Sequence, residues 1–399
     1  MQAPAPSTST SPYRRIVEVQ AAHAAGDALV AIALARTLFF SVPIGQARDR
    51  VGLYLLLAMT PFALISPVVG PLLDRWRGSY RIAIIAAAVG RSVLAFSMAP
   101  RTDRLVLYPM AFGMLVLSRT HGVSRCALLP DVVPPKRTLM SANGRLAVVS
   151  LLGGTAAALP GALFQWWLGP GATLRFAGAV FAMGALAATG LPLPETPKLR
   201  RQVVRGAHRL LAPRLLAGGM ATAAIRAAVG FVTFLLGFVL RAGGHGAGGF
   251  VLVLAGAGAG GLAGALLAPR LRGSRNELRL MLGSLAAIGV VSLLAAYRFD
   301  LLSASILSGV TAFCASGARL GFDSLIQREA PEEVRGRTFA RYETIFQLCW
   351  VGGAGLATGI PFAPSPGLVT LAGICAAGIV LALRGALRPP PPGTERAAG

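Results

Sequence analysis

Acidic residues interrupt several long apolar stretches of this 399-residue chain. The acids are Asp27, Asp323 and Glu343. A carboxyl group in such surroundings can take up and release a proton, because burial favours its neutral form and a nearby cation favours its ionised form. The three carboxyl groups are therefore candidate proton-coupling sites.

Asp27 is the first hypothesis for proton coupling. If the carboxyl group alternated between an apolar environment and contact with an arginine, it would bind a proton in one state and release it in the other. The alternative is a fixed ion pair between Asp27 and an arginine, with a structural role alone. The sequence leaves both interpretations open.

Arginines also lie within apolar stretches, where each costs about 2.5–3.5 kcal/mol on insertion scales and so indicates a function or a partner. Arg226 is a candidate for binding an anionic or zwitterionic substrate group, with structural pairing to Asp27 as the alternative. Arg319 and Asp323 are four residues apart, so on a helix they can pair with each other. Arg91 is central in its stretch, and there we expect a structural pair or a polar contact.

The composition is typical of a membrane protein. Hydrophobic residues make up 54% of the chain and charged residues 13%, against about 25% charged residues in soluble domains. The mean hydropathy is +0.65. Apolar runs of about 20 residues are long enough to cross a bilayer as helices, which argues against a soluble enzyme.

No catalytic or cofactor-binding motif stands out. There is no HExxH, GxxxxGK[ST] or GxSxG sequence, and the four cysteines form no CxxC pair, so we expect no enzyme, metal or cofactor. The net charge of +23 falls mainly in short loops between apolar runs. It therefore predicts contact with anionic lipid head groups of the bilayer rather than with nucleic acid.

The apolar runs predict an all-α protein with twelve spans, which we number from first to twelfth. In chain order they are Ala21–Val42, Val51–Leu72, Tyr80–Met98, Leu105–Leu129, Ser141–Phe164, Thr173–Leu193, Leu215–Leu240, Gly249–Leu267, Leu278–Tyr297, Leu301–Ile326, Thr338–Ile360 and Ser365–Leu387.

Arginine and lysine predict the orientation and the domains. They concentrate in the loops on one side, which is then the cytoplasmic side of the cell membrane, with both termini inside. A basic linker at 194–214 separates six-helix halves at 14–193 and 215–387, between tails at 1–13 and 388–399. Similar loop sequences around Pro134 and Pro331, which lie 197 residues apart, support a duplication.

The loop after the second span carries a recognisable motif. The stretch Gly70-Pro71-Leu72-Leu73-Asp74-Arg75-Trp76-Arg77-Gly78 resembles the corresponding loop of the major facilitator superfamily, the twelve-helix secondary transporters. Gly70, Asp74, Arg75 and Arg77 stand in the places of the family's pattern, although the family's Gly-Arg pair is not kept in order. The two six-helix halves strengthen the resemblance.

A narrower resemblance, to the drug and siderophore exporters of this family, lies in Leu129-Pro130-Asp131-Val132-Val133-Pro134, in Ser141-Ala142-Asn143 and in Gly26-Asp27. It implies efflux of small molecules by alternating access, coupled to protons. The fifth span has Leu159-Pro160-Gly161 where the family's antiporter signature has Gly-Pro, which leaves the coupling open.

The resemblance also implies residue roles. The first, fourth, seventh and tenth spans would line a central cavity, giving access to Asp27 and to the substrate candidates Arg119, Arg226 and Arg319. The loop charges and Asp131 would form a gate that holds the cytoplasmic side shut, with a plain topology signal as the alternative. Glycine faces such as Gly256, Gly260 and Gly264 would belong to the contact between the halves.

Two other functions stay open at this stage. A lipid or lysolipid flippase would also use arginines in a cavity, because they meet phosphate head groups. A membrane interaction protein that has lost transport would suit the second half, where the loop motif has lost its acid. For the transporter we expect a monomer with an anionic or amphiphilic substrate.

Overall fold

Apolar segments that cross a bilayer form helices, because each backbone N–H and C=O group must be bonded within its own segment. The computed structural model describes residues 11–34, 79–102, 104, 106–135, 137–192, 213–243, 247–270, 277–330 and 332–387, and these contain helices and no strands. The helices are α1 Pro12–Leu34, α2 Ser79–Met98, α3 Leu107–Val132, α4 Leu139–Thr189, α5 Pro213–Ala242, α6 Ala247–Leu267, α7 Glu277–Tyr297, α8 Leu301–Glu329, α9 Glu332–Gly359 and α10 Pro364–Ala386.

The predicted spans coincide with these helices except for the second, which lies outside the described residues. Most ends agree to within a few residues. Helix α1 differs, because it begins at Pro12 instead of Ala21. Ser11 accepts the first backbone bonds from Arg14, and Arg14 pairs with Glu18 one turn later, so a charged turn extends the helix.

Helix α4 contains two predicted spans joined by a sharp turn. Gly169 has φ 77° and ψ −178°, a conformation that glycine adopts without the steric cost of a Cβ atom. Pro170 follows and disfavours helical backbone at the residue before it. Trp166 and Trp167 are exposed beside this turn, and tryptophan is enriched where a membrane meets water.

Eight of the described helices are long and apolar enough to cross a membrane, by length and composition. Helix α8 begins at a capping box, in which Asp300 accepts from the Ser303 backbone at 2.7 Å. These hydrogen bonds from Ser303 lower the pKa of Asp300, because they favour the ionised carboxylate.

The chain divides into two units. Unit 1 contains α1, α2, α3 and α4 from Val149 onward, and unit 2 contains Leu139–Val148 of α4 together with α5 to α10. Within unit 2, the buried Asn143 donates to Gln327 Oε1 at 2.7 Å. The predicted domain bounds at 1–13, 14–193, 194–214, 215–387 and 388–399 stay a prediction.

The glycine faces bring helices together within each unit. A Cβ atom at Gly260 would meet the Gly309 backbone oxygen, and one at Gly264 the Phe313 backbone oxygen, so α6 lies against α8. In unit 1, Gly153 of α4 lies against the backbone of Ala21 in α1. The expectation that the α6 face belongs to the contact between the halves is therefore wrong: these glycines serve close packing inside unit 2.

Gly260→Leu is expected to lower the thermal stability of the protein, because the new side chain meets backbone that cannot rotate away. Overpacking of this kind costs about 1–3 kcal/mol. Gly258→Leu on the same helix is the matched control, since a Cβ atom there meets nothing within 4 Å. Thermal unfolding of the purified proteins in detergent measures both, and equal melting temperatures for the two variants would contradict the packing.

Candidate functional site

Five polar side chains of α1, α2 and α3 form what we call the α1–α3 polar cluster, which lies within unit 1. Three of them share one face of α1, because positions three or four apart on a helix are neighbours. Arg91 of α2 and His121 of α3 complete the set. The members are Gln20, His23, Asp27, Arg91 and His121.

The central contact is an ion pair. Arg91 donates from Nη2 to Asp27 Oδ1, and Ser118 donates to Asp27 Oδ2 at 3.4 Å. The two partners differ in access, since the Arg91 side chain is 2% exposed and the Asp27 side chain is 42% exposed. The guanidinium is therefore fixed inside the unit, whereas the carboxylate is accessible from outside it.

His23 bridges the two partners of the ion pair. Its Nδ1 atom lies 2.7 Å from Arg91 Nη1, and its Nε2 atom lies 3.3 Å from Asp27 Oδ2. The three side chains thus form a closed ring of polar contacts.

His121 extends the cluster towards α4. Its ring stacks on that of His23, with 3.8 Å between centroids and 14° between planes. His121 Nε2 lies 3.3 Å from Gln20 Oε1, and the Gln20 amide donates to Ser150 Oγ at 2.7 Å. Side chains on α1, α3 and α4 are joined in this way.

An aromatic ring covers the buried guanidinium. The carbon at the centre of the Arg91 guanidinium lies 4.0 Å from the centroid of the Phe181 ring, a cation–π arrangement that stabilises a desolvated cation. Gly26 makes room for that ring, because a Cβ atom at this position would collide with Phe181. The glycine and the aromatic residue therefore help to keep Arg91 in place.

A second charged cluster lies in unit 2. Arg319 donates from Nε to Asp323 at 3.0 Å and from Nη1 to Glu343 at 2.6 Å. The pairing predicted between Arg319 and Asp323 is present, and Glu343 of α9 joins it. The two acids are less exposed than Asp27, at 6% and 12% of their side-chain surfaces.

The other candidate residues lie on α3 and α5 or outside the described residues. Arg119 of α3 acts electrostatically on His23. Arg226 is half-buried in α5, and Asp131 is exposed at the end of α3. The gate residues Gly70, Asp74, Arg75 and Arg77 lie outside the described residues.

The sequence analysis did not name three members of the cluster, Gln20, His23 and His121. Arg91 was expected in a structural pair or a polar contact, and it pairs with the leading proton candidate, Asp27. The histidines carry no motif, so only the spacing of His23 and Asp27 four residues apart on α1 could have joined them. Nothing in the sequence places His121 on His23. Among the described residues, no group of three or more His, Cys, Asp or Glu side chains is arranged to hold a metal ion.

The long apolar helices define a multi-pass membrane protein. The family model described as Major Facilitator Superfamily matches residues 20–354. The chain therefore belongs to the Major Facilitator Superfamily.

Curated relatives come from mycobacteria. The uncharacterized protein ML2143 of Mycobacterium leprae is 31% identical over 378 residues, which cover 83% of this chain and 64% of that protein. The uncharacterized protein Rv0876c of Mycobacterium tuberculosis is 40% identical over 166 residues, which cover 36% of this chain and 30% of that protein. The chain thus spans less than two thirds of the length of either relative.

Solved structures share the fold at low sequence identity. The human organic anion transporter MFSD10 matches with a TM-score of 0.69 and 14% identity, over 94% of this chain and all of that one. A bacterial homologue of the iron transporter ferroportin, in an outward-facing state, matches with a TM-score of 0.69 and 16% identity, over 95% of this chain and 100% of that one. The transporter FucP in the outward conformation matches with a TM-score of 0.67 and 14% identity, over 94% and 98%.

The difference in access predicts unequal effects of removing either partner of the ion pair. Asp27→Asn leaves a buried guanidinium without a counter-ion, which is strongly destabilising. Arg91→Gln leaves a carboxylate that is much less buried than the guanidinium, so the loss of stability is expected to be smaller.

The double variant, with Asn at 27 and Gln at 91, is expected to be more stable than the sum of the single effects implies, by about 1–3 kcal/mol. Thermal unfolding in detergent measures the stability of the parent, the two single variants and the double variant. If the two single losses of stability add up in the double variant, or if Arg91→Gln loses more stability than Asp27→Asn, the pair does not compensate a buried charge.

Proposed function

We propose that the chain is a secondary active transporter that moves small molecules across the cell membrane by alternating access, with efflux coupled to proton entry. Its family and fold support membrane transport. The observation that carries the coupling is the accessible carboxylate of Asp27 paired with the buried guanidinium of Arg91. Membership of the drug and siderophore exporter branch is part of the proposal.

Protonation of Asp27 removes the negative charge that balances Arg91. A buried, uncompensated cation costs several kcal/mol, so Arg91 must then find another acceptor or move. Because Arg91 lies on α2 and Asp27 on α1, the movement changes the contact between two helices. Proton uptake is thereby linked to a conformational change, which is what coupling requires.

Asp323 and Glu343 are the second choice for this role. Both accept hydrogen bonds from Arg319 and both are largely covered. Protonation of one leaves Arg319 with the other, so a single proton does not strip this arginine of its counter-ion. One proton therefore disturbs the charge balance of Arg91 in unit 1 more than that of Arg319 in unit 2.

For the substrate, we propose an anionic or amphiphilic small molecule. Arg226, Arg119 and Arg319 are the candidate cavity residues, because a guanidinium recognises carboxylate and phosphate groups. The human protein MFSD10, which shares the fold, is an organic anion transporter, which is compatible with this class. The gate is proposed to consist of Gly70, Asp74, Arg75, Arg77 and Asp131, in a monomer with both termini in the cytoplasm.

The test is proton flux in proteoliposomes that contain a pH-sensitive dye, screened against amphiphilic drugs, organic anions and lysolipids. We expect a substrate-triggered pH change with the parent protein and none with Asp27→Asn. Glu18→Gln is the matched control on the same helix, since Glu18 pairs with Arg14 and Arg15 in the first turns of α1.

Parental proton flux in Asp27→Asn would exclude Asp27 from the mechanism. Movement of lysolipid with no pH change would contradict proton coupling and favour the flippase. Folded protein that moves no substrate of any class would favour a non-transporting interaction protein.

A further inference from the structure

We propose that His23 is a second proton-binding group of the α1–α3 polar cluster, and that its protonated ring replaces Arg91 as the counter-ion of Asp27. The proposal rests on the proposed role of Asp27 in proton coupling. It deepens that role, because it says how the arginine is released while the carboxylate stays ionised.

The hydrogen-bond pattern defines the proton on His23. A guanidinium has donors and no acceptor, and an ionised carboxylate has acceptors and no donor. His23 Nδ1, 2.7 Å from Arg91 Nη1, must therefore be the unprotonated nitrogen. His23 Nε2, 3.3 Å from Asp27 Oδ2, must carry the hydrogen. One neutral form of the ring satisfies both contacts.

A proton added to His23 breaks one of these contacts. It binds the lone pair of Nδ1, so two donors with positive charge then face each other, and Arg91 has to withdraw. The Nε2–H group keeps its contact with Asp27, and this contact becomes an ion pair. The carboxylate exchanges an arginine of α2 for a histidine of its own helix, which removes the ion pair between α1 and α2.

The charges around His23 make this exchange selective. Arg91 of α2 and Arg119 and Arg125 of α3 act on the ring with positive charge, whereas Asp27 of α1 opposes them. Phe181 of α4 brings no charge, and His121 of α3 lies on the face of the ring. Burial and all three arginines oppose protonation of His23, and withdrawal of Arg91 removes the largest of these charges, so the two events are coupled.

His121 is held in the neutral form and serves as the comparison. The Gln20 amide nitrogen is committed to Ser150, so its oxygen faces His121 Nε2 at 3.3 Å and accepts a hydrogen from it. Stacked rings 3.8 Å apart disfavour two positive charges. We therefore expect the two stacked rings to take up one added proton, and we expect His23 to bind it.

Nitrogen NMR of the protein, labelled with ¹⁵N-histidine and reconstituted in lipid nanodiscs, tests the proposal without transport. His23→Gln and His121→Gln assign the two rings. We expect His23 to carry its hydrogen on Nε2 at neutral pH and to become doubly protonated as the pH is lowered, before His121 does. A hydrogen on Nδ1 at neutral pH, or protonation of His121 before His23, would overturn the proposal.

A conservative variant separates proton binding from positioning. In His23→Gln, the amide oxygen can accept from Arg91 and the amide nitrogen can donate to Asp27, but the side chain cannot take a proton. We expect near-parental thermal stability and loss of one limb of the pH profile of proton flux. In that part of the profile, the proton flux of the parent changes by up to about tenfold per pH unit, since one proton binds.

A purely structural role for His23 predicts the parental pH profile in His23→Gln, and that result would also overturn the proposal. His121→Gln should retain the part of the pH profile that His23→Gln loses. The outcomes remain separable from those for Asp27, because the NMR titration of His23 needs no substrate and Asp27→Asn tests the carboxylate alone.

Discussion

A positive charge buried in a membrane protein requires a counter-ion, and the ion pair between Arg91 and Asp27 meets that requirement in unit 1. The neighbouring features depend on this pair. Gly26 gives Phe181 the space to cover the guanidinium, and His23 accepts from the other terminal nitrogen of the arginine. Loss of the charge at Asp27 would leave all of these contacts around an unbalanced cation.

The same requirement explains how binding of a proton could change the contact between helices α1 and α2. The arginine cannot be neutralised in a protein, whereas the carboxyl group and the imidazole ring can each change charge. The fixed charge lies on α2 and the variable charges lie on α1, so each protonation changes the attraction between two helices. In unit 2, Arg319 holds two carboxylates at once, and one proton alters that balance less.

Much of the fold could be predicted from the sequence, because the length and hydropathy of each apolar run determine a helix whatever its neighbours are. The start of α1 was missed, since Arg14, Arg15 and Glu18 lower the hydropathy of a turn that is nonetheless helical. The glycine face of α6 was recognised, but its partner was not, because a close-packing pattern does not say which helix it faces. The gate motif and the second span lie outside the described residues, and their roles stay predictions.

The site could be predicted only in part. Asp27 was found because an acid in an apolar run is rare, and the pair of Arg319 with Asp323 was found because both lie on one helix. The contacts of Asp27 with Arg91 and of His23 with His121 join residues 64 to 98 positions apart. Spacing carries no information at such separations, and only the packing of α1 against its neighbours brings these side chains together.

Infrared titration of the Asp27 carboxyl group tests the central claim most directly. We would record difference spectra of the purified protein in nanodiscs as the pH is lowered, for the parent, Asp27→Asn and Glu18→Gln. We expect a protonated-carboxyl band that is present in the parent and in Glu18→Gln and absent in Asp27→Asn. If no such band depends on Asp27, the carboxylate stays ionised and does not carry the coupled proton.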